Sequence, residues 1–464
     1  MSYVTRRSLA ISMLGLHLVL VLVRPINDPD LWWHLRNGQE IVRAHSIPRS
    51  DTYSFTAFGK PWVAHEWLSD ITMYAIYYLS GWTGLVLVLA LMSAAVFLFV
   101  AYYCKAGLPV VILAVLISNA AALVVLREPR PRLGTLILSA TFFIILRNYV
   151  IVGKSRAVWW LPILMAIWVN LHAGYPLGFI FLAISVITLS VSENRQHAKY
   201  LGTIVGLCLI AVLLNPHGAR MFFYPFETQF SAAQMSLINE WLAPNFKDPQ
   251  TLPFLVLILV VIVVLGVSRK RISAFDLLCL ITGLVMALRS YRHVSVLSIV
   301  AIPVLAEHAW DWISPENRAV RILERFVPIL LVVVVIFGDL GGVYRTIKEP
   351  VNLSDDPVAA TQFLEEKKLP DNVFSKYEWN DYLIWNAPSR KVFIDGRADM
   401  YGDEFLAEFF SLYTEGKDWE KTFRDAGVRT AMLEPASRLA VLIRQSGEWS
   451  EVYNDGKAVI FIRK

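Results

Sequence analysis

The sequence is poor in charge, in cysteine and in basic tracts. Only 17% of its 464 residues are charged and 56% are hydrophobic, whereas a soluble chain of this length needs more charge to cover its surface. The three cysteines, Cys104, Cys208 and Cys279, lie in or beside apolar segments and are too few for a disulfide framework. The net charge of +5 is small and dispersed, which argues against nucleic acid as a partner.

Long apolar runs predict a polytopic α-helical membrane protein. Runs such as Leu85–Ala101, Phe254–Val267 and Val327–Phe337 have no polar face that could meet water. We predict about eleven transmembrane helices, several of them shorter than the roughly twenty residues that cross a bilayer, so we expect some to be tilted, broken or re-entrant. The predicted spans are 8–24, 82–103, 108–126, 133–150, 157–171, 176–191, 200–214, 252–267, 274–289, 294–307 and 327–344.

The first apolar run and the loops set the expected orientation. Arg6 and Arg7 precede the first run as in a signal peptide, but no small-residue cleavage site follows, so we expect an uncleaved first span. With the N-terminus in the cytoplasm, each short inner loop carries Lys or Arg, as the positive-inside rule requires. These residues are Lys105, Lys154, Arg156, Arg195, Lys199, Arg269, Lys270, Arg271, Arg318, Arg321 and Arg325. The sequence thus predicts a multi-pass protein of the inner (cytoplasmic) membrane whose C-terminal segment lies outside.

The composition changes near Glu349, where span-length apolar runs end. We therefore predict a transmembrane domain over 1–348, with a first outer loop over 25–81, and a small extracytoplasmic α/β domain over 349–464. Patterning predicts strands at Val373–Tyr377, Lys391–Asp395, Thr430–Leu433 and Ala458–Ile462. It predicts helices around 379–385, 419–426 and 436–445.

Acidic residues follow the first span directly, in the segment Asp28 to His34. Asp28 is a candidate N-cap, with Pro29 at the first helical position and Gly38 closing a short helix. Asp30 and His34 are four residues apart, so one helix face presents both. The carboxylate of Asp30 is a candidate general base or, with His34, a ligand of a divalent cation. Compensation of the helix dipole is the structural alternative for Asp30.

The other outer segments hold most of the remaining chemically capable side chains. His65 and Glu66, followed by Trp67, suit contacts with a sugar or a metal. Arginines on the side where the positive-inside rule disfavours them suggest a bound phosphate, which guanidinium matches bidentately; snorkelling to lipid headgroups is the alternative. These arginines are Arg127, Arg130, Arg132, Arg289 and Arg292.

Polar residues at the ends of spans complete the candidate set. His172, His217 and His293 are candidate substrate ligands, although the glycines that follow the first two fit helix capping equally. Glu240 could pair with one of the arginines. In the outer domain, the segment Asp395 to Asp399 follows a predicted strand and is either a binding loop or a structural ion pair.

These motifs resemble the GT-C superfamily of membrane glycosyltransferases. The sequence DPDLWWHL at Asp28–Leu35, the many spans and the outer α/β domain carry the resemblance. More closely, the chain looks like bacterial membrane proteins that share this motif and a later FIDGRADMYGDE, here Phe393–Glu404. The resemblance implies a GT-C-like fold and a catalytic acid in the first outer loop, which falls on Asp30 with Asp28 as the rival.

The resemblance also implies a reaction. GT-C enzymes typically take polyprenyl-phosphate or polyprenyl-diphosphate sugars, and some need a divalent cation such as Mg²⁺ or Mn²⁺ while others do not. We therefore hypothesise an inverting glycosyltransferase that moves a sugar from a polyprenyl-phosphate-linked donor to a lipid, glycan or protein acceptor. The alternative is a non-catalytic GT-C-like subunit, or a transporter or assembly protein for lipid-linked glycans.

Overall fold

A computed structural model describes residues 14–15, 17–18, 21–22, 24–126, 130–153, 155–192, 194–312 and 340–464. Contacts along the chain divide it into two compact units. The first unit comprises Met1–Ile26, Leu79–Pro225 and Asn239–Val351, and the second comprises Asn27–Tyr78, Phe226–Ile238 and Asn352–Lys464.

Helices dominate the described residues. In chain order they are α1 Asp30–Ala44, α2 Trp67–Tyr102, α3 Leu108–Leu126, α4 Arg132–Val152, α5 Leu161–Leu171, α6 Pro176–Val191, α7 Arg195–Val212, α8 Tyr224–Gln229, α9 Ala232–Leu237, α10 Leu252–Val267, α11 Ala274–Arg289, α12 Val294–Trp312, α13 Leu340–Lys348, α14 Val358–Glu366, α15 Tyr377–Asn386, α16 Ala398–Tyr401, α17 Asp403–Glu415, α18 Trp419–Asp425 and α19 Arg438–Ser446. The four strands are β1 Val373–Ser375, β2 Thr430–Leu433, β3 Trp449–Asn454 and β4 Val459–Arg463.

The first unit is built from apolar helices that match most of the predicted spans. Within the described residues, five helices are long and apolar enough to cross a membrane, and two shorter apolar ones cover Arg156–Leu171 and Pro176–Val191. The five are Trp67–Tyr102, Leu108–Leu126, Arg132–Val152, Pro249–Val267 and Tyr291–Trp310. The predicted spans 8–24 and 327–344 lie largely outside the described residues, and the number of eleven stays a prediction.

Local sequence explains where several of these helices end. Gly81 adopts φ 65° and ψ −168°, which breaks α2 into two helical stretches. Gly153 adopts a left-handed conformation and its N–H caps the end of α4. Ser273 accepts a hydrogen bond from the N–H of Asp276 and so begins α11.

A buried ion network joins helix ends in the first unit. Arg147, near the end of α4, pairs with Asp276 in the first turn of α11 at 2.8 Å and with Glu307 near the end of α12 at 3.0 Å. Lys270, in the preceding loop, reaches the second oxygen of Glu307 at 2.9 Å. These charges neutralise one another and lie at helix termini, which fits a structural role better than an ion pathway through the middle of the helices.

The second unit is an α/β structure around one small sheet of order β1-β2-β4-β3. Strands β1 and β2 pair in parallel, whereas β4 pairs antiparallel with both β2 and β3. Its core contains buried aromatic side chains such as Phe374, Phe409 and Phe423, which contact one another. The predicted strands at Thr430–Leu433 and Ala458–Ile462 are confirmed, as are the helices around 379–385, 419–426 and 436–445. The strand predicted over Val373–Tyr377 is shorter, because it ends at Ser375 and Tyr377 begins α15.

Two strand assignments need correction. The prediction of a regular strand over Lys391–Asp395 is wrong, because only Val392 forms isolated bridges there, one to Ser54 and one to Val373. The sequence analysis also missed β3, whose pairing with β4 shifts register between Glu451 and Tyr453. This irregularity interrupts the alternation of apolar and polar residues from which strands are predicted.

Most of the predicted first outer loop, called here the first outer segment, belongs to the second unit over Asn27–Tyr78. Val392 donates its N–H to the carbonyl of Tyr53 at 3.1 Å and accepts the N–H of Phe55 at 3.0 Å, so residues 53–55 lie alongside the C-terminal segment. Helix α1 also contacts α15, where Trp32 meets Tyr382 edge to face with ring centroids 5.2 Å apart. The α/β unit is therefore assembled from chain segments that are distant in sequence.

Candidate functional site

The acidic motif begins helix α1. Asp28 is buried, and its carboxylate accepts the N–H of Asp30 at 3.2 Å, so it orders the helix start much as a capping residue would. Asp30 occupies the first helical turn and is partly exposed. Gly38 does not close the helix as predicted, since α1 continues to Ala44. The glycine instead permits close packing, because a Cβ there would overlap the carbonyl oxygen of Asp70.

His34 lies in a buried cluster of charged groups rather than at an open ligand position. Its Nδ1 is 2.6 Å from Asp70, whose other oxygen accepts from Asn37 at 2.6 Å, and its Nε2 is 3.9 Å from Glu66. Burial alone would lower the pKa of His34, but Asp70, Glu66 and Asp30 raise it. A protonated imidazole has two N–H donors and no lone pair for a metal, so this environment disfavours metal binding by His34.

His65 is held by the neighbouring carboxylate of Glu66, with Nε2 3.6 Å from its oxygen. Burial lowers the pKa of His65, but Glu66 and then Asp399 raise it to about 9. The pair that the sequence analysis proposed for sugar or metal contact is thus a charged ion pair in this structure. Within the described residues, no group of three or more His, Cys, Asp or Glu side chains is placed to hold a metal ion.

The segment after Val392 forms a buried ion pair, as the structural alternative predicts. Arg397 donates to both oxygens of Asp395 at 2.8 and 2.6 Å and also pairs with Asp51. Its guanidinium lies over the rings of Tyr53 and Trp62, at 4.6 and 4.5 Å from their centroids. This buried arginine, only 1% exposed, joins the first outer segment to the C-terminal segment.

Asp30 lies beside a second carboxyl group that the sequence did not single out. Gly396 donates its N–H to Asp381 at 2.8 Å. A Cβ on residue 396 would lie 2.6 Å from an oxygen of Asp30, 2.7 Å from Oδ2 of Asp381 and 3.1 Å from Nε1 of Trp33, so three polar atoms converge above this glycine. Burial, followed by the carboxylates of Asp30 and Asp395, raises the pKa of Asp381 well above its usual value.

The first unit holds a separate cluster of guanidinium groups, which we call the arginine cluster: Arg130, Arg132 and Arg292. All three pair with Glu240, at 3.2, 2.7 and 3.4 Å, which confirms the expected pairing of Glu240. Arg292 also lies over the ring of Trp241 at 4.1 Å. Burial would raise the pKa of Glu240, but these arginines hold it well below its usual value. Among the described residues, three guanidinium groups thus face one carboxylate, and guanidinium is a side-chain group that matches phosphate oxygens bidentately.

Of the other candidate residues in the first unit, only some lie near the arginine cluster. His172 lies close enough to lower the pKa of Glu240, and its Nδ1 is 2.9 Å from both the Thr135 hydroxyl and the N–H of Gly174. His293 follows Arg292 in one short helical turn. Arg289 is exposed and does not pair with Glu240, and Arg127 lies outside the described residues.

The capping interpretation of the two histidine motifs is only partly correct. Helix α5 ends at Leu171, and His172 is extended, so Gly174 is not the capping residue. After α7, Asn215 donates to the carbonyls of Val212 and Gly218 and accepts the N–H of His217. The histidine therefore belongs to a turn that Asn215 orders.

Asp381, Trp33 and Asp51 were not predicted as members of polar clusters, whereas Arg397 lies in the segment that was predicted as a binding loop or an ion pair. Asp381 lies inside a helix that the pattern predicts, and it is 1% exposed. The available signal was the polar pair Asn380-Asp381 directly before the apolar run Tyr382 to Trp385, because buried acids are rare unless they have a partner or a role.

Comparison with solved structures identifies the fold. ArnT from Cupriavidus metallidurans bound to undecaprenyl phosphate is similar over 99% of this chain and 98% of its own, with a TM-score of 0.58 and 13% identity. The oligosaccharyltransferase AglB from Archaeoglobus fulgidus, in complex with an inhibitory peptide and a dolichol-phosphate, is similar over 93% of this chain and 70% of its own. Its TM-score is 0.61 and its identity 10%.

A second structure of the Archaeoglobus fulgidus oligosaccharyltransferase, tethered to an acceptor peptide, is similar over all of this chain and 74% of its own, with a TM-score of 0.60 and 11% identity. No protein-family model and no curated protein sequence matches the chain. The similarity to these structures supports the GT-C fold that the sequence resemblance implies.

Proposed function

We propose that this protein is an inverting glycosyltransferase that takes a sugar from a polyprenyl-phosphate-linked donor at the outer face of the cytoplasmic membrane. The observation that carries the proposal is the arginine cluster, in which three guanidinium groups pair with the carboxylate of Glu240. Guanidinium binds phosphate oxygens bidentately and stabilises the charge that develops on a leaving phosphate. The fold shared with structures that contain undecaprenyl phosphate or dolichol-phosphate supports the same ligand class.

Asp30 is the proposed general base. Its carboxylate takes the proton of the acceptor hydroxyl while the hydroxyl oxygen bonds to the anomeric carbon of the sugar. The bond between that carbon and the phosphate oxygen breaks, and the lipid phosphate leaves with the electron pair. Asp28 supports this role by binding the N–H of Asp30 at the helix start.

The first test measures transfer by purified protein from labelled polyprenyl-phosphate sugars, with Mg²⁺, with Mn²⁺ and with a chelator. General-base catalysis contributes about 10²- to 10⁴-fold, so Asp30→Asn should lower turnover by about that factor while donor affinity and thermal stability stay unchanged. Asp403→Asn, which alters an exposed carboxylate, is the control and should leave turnover unchanged. Wild-type turnover in Asp30→Asn would refute the role of this residue.

The second test measures donor affinity in variants of the arginine cluster. Arg130→Ala or Arg292→Ala removes a charge-assisted contact with phosphate, so the dissociation constant of the donor should rise by about ten- to a hundredfold. Arg195→Ala changes an exposed arginine outside the cluster and should have no effect. Unchanged donor affinity in both cluster variants would remove the phosphate assignment.

The alternative function predicts a different result in the transfer and binding measurements. Donor binding without transfer to any lipid, glycan or peptide acceptor, under every metal condition, would favour a non-catalytic subunit or a lipid-linked-glycan transporter or assembly protein. Among the described residues, the ion network of Arg147 lies near helix ends, whereas a transporter is expected to hold such charges at the middle of its helices.

A further inference from the structure

The second unit contains a polar cavity that the proposed chemistry of Asp30 does not use. Its volume is about 260 Å³, and it is lined by residues of α1, of the segment after α1, of α15 and of the chain that follows α15. Most of these residues carry a polar or charged side chain, whereas ligand sites are usually lined mainly by apolar ones, so the lining favours a hydrophilic ligand. The volume lies just below the roughly 300 Å³ at which sites for drug-sized ligands begin, which suits a single sugar ring.

Most charged groups of the cavity wall are bound to other side chains. Arg36 pairs with Glu40 at 2.8 Å, and the hydroxyl of Tyr53 donates to the second oxygen of Glu40 at 2.9 Å. Arg390 is bound by two carboxylates that do not line the cavity, at 2.7 and 2.8 Å. These contacts connect α1 to the chain after it and hold the wall in place.

Lys391 is the exception in this wall. Its ammonium nitrogen Nζ lies over the ring of Phe58, 3.3 Å from the ring centroid, and pairs with no carboxylate among the described residues. Because Phe58 is 60% exposed, this aromatic contact holds the ammonium group without neutralising its charge. An ammonium group has three donors and binds an anion as a point charge. The lining therefore suits a ligand that carries both a negative charge and hydroxyl groups.

We propose that this cavity binds an anionic sugar residue of the acceptor, with Lys391 as the partner of its negative charge and Glu40 and Thr52 as partners of its hydroxyl groups. The negative group is a carboxylate or a phosphate. Arg36 and Glu40 lie on the same helix as Asp30, six and ten residues further on, which corresponds to about 9 and 15 Å along the helix axis. The cavity thus suits a sugar beyond the one that receives the transfer. The acceptor role rests on the proposed function of Asp30, whereas binding in the cavity is measured without donor or transfer.

Ligand-observed NMR on the purified full chain measures the binding of glucuronic acid, glucose 1-phosphate and glucose in the absence of donor. We expect at least one of the two anions to bind, and glucose to bind at least about tenfold more weakly, since it lacks the charge-assisted contact with Lys391. Tighter binding of glucuronic acid identifies a carboxylate ligand, and tighter binding of glucose 1-phosphate identifies a phosphate. Equal affinity for all three sugars, or binding of none, would overturn the proposal.

Substitutions of Lys391 test its contact with the anion. Lys391→Gln removes the charge and should raise the dissociation constant of the bound anion by about ten- to a hundredfold, whereas Lys391→Arg keeps the charge and should stay within a few-fold of the wild type. Lys417→Gln, which changes an exposed lysine elsewhere in the same unit, is the matched control and should have no effect. Wild-type affinity in Lys391→Gln would contradict the proposal.

Thr52→Trp provides a second, independent perturbation. Thr52 lines the cavity from an exposed position, so a large side chain there should fill the cavity and abolish anion binding without disturbing the fold. Thermal unfolding of each variant separates loss of binding from loss of folding. A folded Thr52→Trp variant that binds the anion as tightly as the wild type would show that the anion binds elsewhere.

The transfer measurement separates failure of this proposal from failure of the proposed function. The more tightly bound of the two anions should raise the KM for the acceptor without changing kcat, and Lys391→Gln should need about tenfold more of the anion for the same rise. Transfer with a KM that the anion leaves unchanged would overturn the acceptor role in an active enzyme. Anion binding by a chain that transfers no sugar would instead refute the proposed function while supporting the cavity as an anion site.

Discussion

Three buried carboxyl groups of the second unit lie beside three different partners. Asp395 faces the guanidinium of Arg397 at 2.6 Å, and Asp70 faces the imidazole of His34 at 2.6 Å. Asp381 faces another acid, Asp30. A buried charge is costly unless it is paired, and the basic groups beside Asp395 and Asp70 offset that cost. Beside Asp381, burial and the neighbouring carboxylate of Asp30 instead raise the pKa well above its usual value.

The charge of His65 predicts a pH dependence of stability. The pKa of His65 is raised from its usual 6.5 to about 9 in the folded protein. A raised pKa stabilises the fold fully below pH 6.5, and the contribution is lost as pH rises through about 9. We therefore expect His65→Gln to lower the free energy of unfolding by roughly 3 kcal/mol below that range and by little above it.

Thermal or denaturant unfolding of the wild type and His65→Gln across pH measures this difference. Because both proteins share every other titrating group, subtraction isolates the contribution of His65. A difference in unfolding free energy that stays constant from acidic to alkaline pH would show that Glu66 does not stabilise a charged imidazole.

At the scale of secondary-structure elements, the packing of α1 depends on the absence of a side chain at Gly38. A Cβ there would overlap the backbone carbonyl of Asp70 in α2, and backbone cannot move aside as a flexible side chain can. We expect Gly38→Ala to destabilise the protein by about 1–3 kcal/mol, as overpacking does, despite the better helix propensity of alanine.

A lower midpoint of thermal unfolding for Gly38→Ala, beside an unchanged or higher midpoint for Gly206→Ala, is the expected result. Both glycines lie inside helices, so propensity alone favours alanine at both positions. Equal stabilisation of the two variants would mean that the two helices do not approach as closely as described.

The sequence pattern predicted correctly the helices and strands that depend only on residues close together in the chain. Apolar runs such as Leu108–Leu126 predict helices because every face contacts an apolar environment, and the structure confirms them. The segment Lys391–Asp395 has the composition of a strand, but its pairing depends on Tyr53 and Phe55, hundreds of residues away. Composition carries no information about such partners, which is why this assignment failed.

The same limit applies to the candidate site. The first-loop acids and the arginines were singled out because their residue types are unusual beside membrane spans. Charge predicted that Glu240 pairs with one arginine, and the structure shows pairs with three. The partner of Asp30 was not recognised, because Asp381 is remote in sequence and lies within an ordinary helical pattern. A single sequence gives the chemistry of each residue but not which distant residues share a site.

At the scale of the whole molecule, the α/β unit is discontinuous, and its first segment should depend on its last. Arg397 pairs with Asp51, and the backbone of Val392 bonds to that of Tyr53 and Phe55. A chain ending at residue 351 would leave Asp51 without its guanidinium and residues 53–55 without their backbone partners. Segments that lose buried contacts and hydrogen bonds open more readily.

Hydrogen–deuterium exchange of the full chain and of a chain ending at residue 351 measures this dependence. We expect amides of residues 30–62 to exchange at least about tenfold faster in the shortened chain, since the loss of a few hydrogen bonds exceeds the roughly 1.4 kcal/mol that corresponds to tenfold. Amides of Leu108–Leu126 and Arg132–Val152, which belong to the other unit, serve as the internal control and should stay protected. If residues 30–62 kept their full protection, the first outer segment would fold by itself, and Arg397 would contribute little to its stability.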